Sequence, residues 1–273
     1  MGKIACLLIG LIVLASCKEI VEEGTEEIYE RDETVQIDAE MDQAETSYPA
    51  ELIEVFDAHG GLQQWRQMNN LCYELEGRDG AEIHTIALPD RQTKIESKDW
   101  AIGSTGKLVW LLQRTPDAYK GNARFYHNLM FYFYAMPFVL SDPGIVYEIL
   151  PETTLEGLSY GGIQISYEQG VGDSPEDEYR IYYHPETYKM AWLGYTVTYK
   201  DQQKSDDWHF IKYADWQEIN GLLLPEKLSW YAVENGLPSQ KRNEMSFEKV
   251  TVTETVLEDS VFEKPESAVI VPR

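Results

Sequence analysis

Cysteine is scarce in this chain of 273 residues: Cys6, Cys17 and Cys72 are the three present. Cys6 lies within a short apolar run near the N-terminus and Cys17 at its end. A folded domain downstream therefore has only Cys72 and cannot form an intrachain disulfide. Basic residues are also few, 23 against 47 acidic ones, for a formal charge of −24. Such a surface repels polyanions, which excludes binding to nucleic acid or to anionic headgroups through a basic patch. Long apolar runs are missing too. The longest near the N-terminus, Ile4 to Leu14, falls well short of the ~20 residues that span a bilayer. The five histidines, His59, His84, His127, His184 and His209, never occur at His-x-His or His-x-x-x-His spacing. No metal site and no cofactor motif is expected from them.

What is there begins with Leu14-Ala15-Ser16-Cys17, which follows Lys3 and the apolar run. A positive start, an apolar stretch and small residues before a cysteine make a secretory signal. They resemble a bacterial lipoprotein signal, with residues 1–16 removed and Cys17 acylated by palmitate-type chains. Several buried chains anchor stably, at ~0.8 kcal/mol per CH₂. Residues 17–46 are rich in Asp and Glu, with Tyr29 as their aromatic residue. They cannot bury enough apolar surface to offset their ordering entropy and are expected to form a solvated tether. Lys18 after the lipid cysteine, followed by acidic residues, resembles outer-membrane lipoproteins, on either the periplasmic or the outer face.

A single domain is expected from 47 to 273, a length that can bury a substantial core. Ser47 can cap a helix bearing Leu52, Ile53, Val55 and Phe56, stopped by Gly60-Gly61, and a short turn follows with Trp65 and Met68. From Leu71 on, alternation dominates. Leu71, Tyr73 and Leu75 share one face, as do Ile83, Thr85 and Ala87, and again Leu108, Trp110 and Leu112. Further strands are expected at 146–150, 163–167, 178–183, 190–199, 208–213, 223–233 and 244–255. Turn residues such as Gly103-Ser104-Thr105-Gly106, Asn220-Gly221 and Glu234-Asn235-Gly236 separate several of them. The fold class is mainly β with α: a curled antiparallel sheet, an incomplete barrel, around a central apolar helix. That helix is read from Asn122 to Leu140, apolar nearly all round and broken near Pro137. It is either a core plug or a lid over an apolar cavity lined by Phe125, Met130, Tyr134 and Phe138.

The order of these elements carries a resemblance. The opening helix with His59-Gly60-Gly61, the central helix ending at Asp142-Pro143-Gly144, Tyr179 to Thr187, and Tyr213 to Pro225 are similar to the bacterial lipoprotein-carrier (Lol-type) superfamily. Within it the chain looks most like an uncharacterised Gram-negative envelope lipoprotein family. The resemblance spans roughly Tyr48 to Val261. It implies a half-barrel that wraps helices, can hold acyl chains in its concavity and does no covalent chemistry. His184-Pro185 stands where the carriers tend to have an acidic residue, and the central helix is unusually aromatic.

Catalytic motifs were tested against the same pattern. Gly157-Leu158-Ser159-Tyr160-Gly161 matches a nucleophile elbow, but Gly162 to Tyr167 then alternates like a strand where the motif needs a helix. His59 is expected to end its helix as a dipole-favoured cation, and His127 to find a partner in Asn128 or a sheet carboxylate. Cys72 reads as a small buried hydrophobe, and Asp173, Glu176, Asp177 and Glu178 as a solvated turn. The expected function is therefore a non-catalytic, lipid-anchored envelope protein holding an acyl chain or other hydrophobic molecule. The alternatives are a structural or partner-binding lipoprotein with a self-filled core and, more remotely, a serine hydrolase using Ser159.

Overall fold

The structure is a computed structural model that describes residues 48–77, 80–168, 174 and 176–272. They lie within one compact unit, Thr46–Arg273. The expected signal at 1–16, the lipid site Cys17, the acidic tether, the cap at Ser47 and the turn residue Asp173 lie outside the described residues.

Helix α1 (Ala50–Ala58) buries Leu52, Val55 and Phe56, the i, i+3, i+4 stripe that its sequence spells. It starts after Pro49, whose missing N–H is spared at a helix entry. It stops because Gly60 takes φ 105° and lies so close to Gly221 that a Cβ would sit 2.2 Å from that carbonyl oxygen. Helix α2 (Leu62–Gln67) then buries Trp65.

Five strands follow in a meander: β1 (Asn70–Gly77), β2 (Gly80–Ala87), β3 (Gln92–Glu96), β4 (Trp100–Ser104) and β5 (Val109–Gln113). Helix α3 (Ala123–Tyr134) and a 3-10 turn (Phe138–Ser141) interrupt, with a cis peptide at Met136–Pro137 between them. A second series continues with β6 (Ile145–Leu155), β7 (Leu158–Tyr167), β8 (Tyr179–Tyr183), β9 (Met190–Tyr195) and β10 (His209–Tyr213). A separate hairpin, β11 (Trp216–Ile219) and β12 (Leu222–Pro225), precedes β13 (Lys227–Glu234), β14 (Leu237–Ser246), β15 (Glu248–Thr253) and β16 (Val269–Val271).

Two seven-stranded antiparallel sheets result, ordered β15-β1-β2-β3-β4-β5-β16 and β14-β13-β10-β9-β8-β7-β6. Only Phe247 separates β14 from β15, so the chain leaves one sheet and enters the other at a single corner. A strand that switches sheets at a bend is the standard way to turn such a corner. The far edges, β16 and β6, do not pair with each other, and the curled sheet stays open. One core joins α1, α2, α3 and the inward faces of both sheets.

The strands differ from the sequence reading in several places. The inward face of β2 carries Glu82, His84 and Ile86, not Ile83, Thr85 and Ala87, and Ile83 is left exposed. Pairing decides this: His84 lies opposite Tyr73 and Glu82 opposite Leu75, both inward residues of β1. Strand β4 was read partly as a turn because all five of its residues are buried, so no alternation marks it. Trp110 shares its face with Leu108 and Leu112 as expected; Ala101 and Ala268 cover it there, and its indole N–H donates to the Phe262 carbonyl at 3.0 Å. The stretch 223–233 is divided between β12 and β13, and 244–255 is divided at Phe247.

Candidate functional site

Asn122 caps α3 by accepting the Phe125 N–H at 3.1 Å, and this sets which way the helix faces. Ala123, His127, Met130, Phe131 and Tyr134 are buried, and Met130, Phe131 and Tyr134 belong to the main core. Phe125, Leu129 and Tyr132 are half-buried, and with Phe133 they wall a cavity of about 720 Å³. Tyr167, Tyr179 and Tyr199 approach from the other sheet and its following loop, and Phe125 meets Tyr199 with ring centroids 5.1 Å apart.

The four residues expected to line an apolar site thus divide. Phe125 is in the cavity wall. Met130, Tyr134 and Phe138 are not: Tyr134 packs between Tyr73 and Phe247 at 4.8 and 4.3 Å, and Phe138 stacks on Trp65 at 4.8 Å. Met130 and Tyr134, one turn apart, mark the helix face that closes the core, Phe138 joins the core from the 3-10 turn beyond the helix, and 125, 129 and 132 mark the face that opens to the cavity. A helix apolar on both sides gives no sequence signal of which is which.

Polar groups share the lining with these rings. Arg91 Nη2 donates to Asp142 Oδ1 at 2.5 Å, and its guanidinium carbon lies 4.9 Å from the Phe131 ring centroid. Burial pushes the Asp142 carboxyl above its ordinary range, and Arg91 offsets that only in part. Arg91 Nη1 and Asn128 Oδ1 are both buried without a hydrogen-bond partner, and both side chains line the cavity. Lys107 lines it as well and is exposed. His127 finds its partner in its own helix, Nδ1 lying 2.5 Å from the Arg124 carbonyl. Asp177 is tied down rather than solvated, accepting the backbone N–H of Thr198 at 2.6 Å and its hydroxyl at 2.7 Å. Burial pushes the pKa values of the Tyr167 and Tyr179 phenols up, so both stay protonated.

A second polar cluster lies under α3. Glu82 Oε2 accepts from the Tyr126 hydroxyl at 2.7 Å and is 3.0 Å from His84 Nε2. His84 stacks on Tyr73 at 4.8 Å, and burial pushes its pKa down while Glu82 pulls it up. The reversed face of β2 hid this cluster from the sequence.

Other candidate groups are accounted for locally. Ser159 lies in strand β7, its hydroxyl donating to Glu152 at 2.8 Å, and the strand–turn–helix of a nucleophile elbow is not formed. His59 does end α1, but not as a cation: it is fully buried, and desolvation lowers its pKa to about 4. Nδ1 bonds the Val55 carbonyl at 2.7 Å, so Nε2 is left to accept from Met190. Cys72 is half-buried on the outer face of β1 rather than in the core, with Thr85 Oγ1 at 3.8 Å, and burial raises its pKa. Among the described residues no group of three His, Cys, Asp or Glu could hold a metal ion. None of the described helices is long and apolar enough to cross a membrane.

Comparison with solved structures finds similarity at low identity to several bacterial proteins. A LolA superfamily protein from Nitrosomonas europaea is 9% identical, covering 77% of this chain and 96% of its own, with TM-score 0.46. A DUF1329 family protein from Desulfovibrio piger is 11% identical, covering 79% and 98%, with TM-score 0.48. The lipoprotein LppX from Mycobacterium tuberculosis is 10% identical, covering 55% and 90%, with TM-score 0.26. All three scores are under 0.5, and the architecture rests on the strand order itself. No curated protein matches the chain. One family does match, over residues 98–240, which span more than half of the sequence and include β4, α3 and the strands that wall the cavity. The chain belongs to that family, described as a family of unknown function, DUF6503.

Proposed function

We propose that this protein is an envelope lipoprotein, anchored through Cys17 to the outer membrane, that shelters an acyl chain or other apolar molecule between its two sheets without covalent chemistry. The observation that carries this reading is the cavity of about 720 Å³ with Phe125, Leu129, Tyr132 and Phe133 on one wall and tyrosines on the other. Its size falls within the range of roughly 300–1,000 Å³ common to small-molecule sites, and its lining mixes these aromatics with charged and polar side chains, among them Arg91, Lys107, Arg124, Asp142 and Asp177. Single chains fit such a groove because each buried CH₂ contributes about 0.8 kcal/mol. The packed core around Met130, Tyr134 and Phe138 favours a second reading, a structural module whose interior is filled by its own side chains.

The two readings separate on titration of the chain Lys18–Arg273 with a fluorescent apolar probe. A binding protein saturates at one probe per chain, and Leu129→Glu, which places a carboxylate in the wall, removes that signal while leaving the circular dichroism unchanged. A self-filled module gives no saturable signal.

A further inference from the structure

We infer that the ligand of this cavity is an anionic amphiphile, an apolar chain ended by a carboxylate or phosphate whose head is received by Arg91, Asn128 and Lys107. The inference rests on the binding reading above and adds the chemistry of the ligand's end.

Three observations carry it. First, the cavity holds two orphaned polar atoms, the donor Arg91 Nη1 and the acceptor Asn128 Oδ1, both closed to water and both on lining side chains. A buried donor left unfilled costs free energy that a ligand oxygen recovers, most of all when the bond is charge-assisted. Second, the two sites adjoin: the Arg91 guanidinium lies over Phe131, and Phe131 is three residues from Asn128 on α3, its neighbour one turn along. An Asn amide can present either its oxygen or its NH₂, so it suits both the protonated and the ionised oxygen of a head group.

Third, the charges of the lining are unequally engaged. Each of its acids already accepts hydrogen bonds, Asp142 from Arg91, Asp177 from Thr198 and Asp90 from the Gln92 amide at 2.6 Å. Among the cations, Arg91 keeps an unfilled amino group, and Lys107 makes no ion pair among the described residues. The lining carries three cations, Arg91, Lys107 and Arg124, against three acids, Asp90, Asp142 and Asp177, in a protein of net charge −24. The local arrangement sets the preference.

The test uses the chain Lys18–Arg273 and three ligands of one chain length, palmitate, hexadecyl phosphate and hexadecanol, with affinities measured by calorimetry at pH 8. The expected result is that palmitate, hexadecyl phosphate or both bind at least tenfold more tightly than the alcohol, and that Arg91→Gln brings the acid's affinity down toward that of the alcohol. Which of the two anions binds more tightly names the head group. Should Arg91→Gln fail to fold, Lys107→Gln, at an exposed position, carries the same readout with a smaller loss. Alcohol and anions binding equally would overturn the inference while leaving the binding reading intact; no binding of any of the three would overturn both.

Discussion

Phe125 and Met130 sit five residues apart on α3 yet answer to different demands. Met130 is in the closed core, whereas Phe125 is half-exposed at the cavity. Met130→Ala is expected to cost about 2–5 kcal/mol of stability, since it opens a void that the neighbours fill only partly. Phe125→Ala should cost less than about 1.5 kcal/mol in urea unfolding yet weaken binding of an apolar probe, because much of its surface faces the cavity. At the same scale, His59 makes stability depend on pH. Its pKa is lowered from 6.5 to about 4 by burial, so the folded protein holds it neutral while the unfolded chain protonates it first. Stability is complete above pH 6.5 and is lost as pH falls from 6.5 to about 4, by roughly 3 kcal/mol in all. Buried His84, also lowered, acts with the same sign. In urea titrations across that window, His59→Gln should lose measurably less stability than the parent chain. Equal losses would assign the pH dependence to other groups.

At the scale of elements, turns and amphipathic stripes were legible where a single rule governs them. Asn220-Gly221 and Asn235-Gly236 both adopt the paired positive φ that their sequences demand in two-residue hairpins, and α1 buries the face its spacing marks. The order of elements was enough to reveal the lipoprotein-carrier resemblance. Illegible were the features that depend on what lies opposite. The phase of β2 is set by β1 across the ladder, and the burial of Trp110 by residues far along the chain. The cavity draws its polar lining residues Arg91, Asn128 and Lys107 from three separate segments, and nothing in their spacing announces it. Close approaches between elements can be tested directly. Gly60→Ala places a Cβ 2.2 Å from a backbone oxygen of the β11–β12 turn at φ 105°, whereas Gly236→Ala, at φ 76°, has open space around it. The first should cost more than about 3 kcal/mol and lower the melting temperature sharply; the second should cost about 1–2 kcal/mol, the left-handed strain alone.

At the scale of the whole molecule, the sheet turns one corner at Phe247, leaves its far edges open and encloses a helix with one face in a packed core and another on a cavity. That combination is the geometric ground for the proposed binding of an apolar chain. The anchor has its own check: metabolic labelling with palmitate should mark the parent protein and not Cys17→Ser, which should leave the membrane fraction.

The most direct measurement is native mass spectrometry of the chain Lys18–Arg273 purified without detergent from cells that make lipid. A mass one apolar molecule above that of the polypeptide, lost in Leu129→Glu while the fold is kept, is the result expected. The bare polypeptide mass, unchanged after incubation with fatty acids and phospholipids, would contradict the account and leave a self-filled structural module in its place.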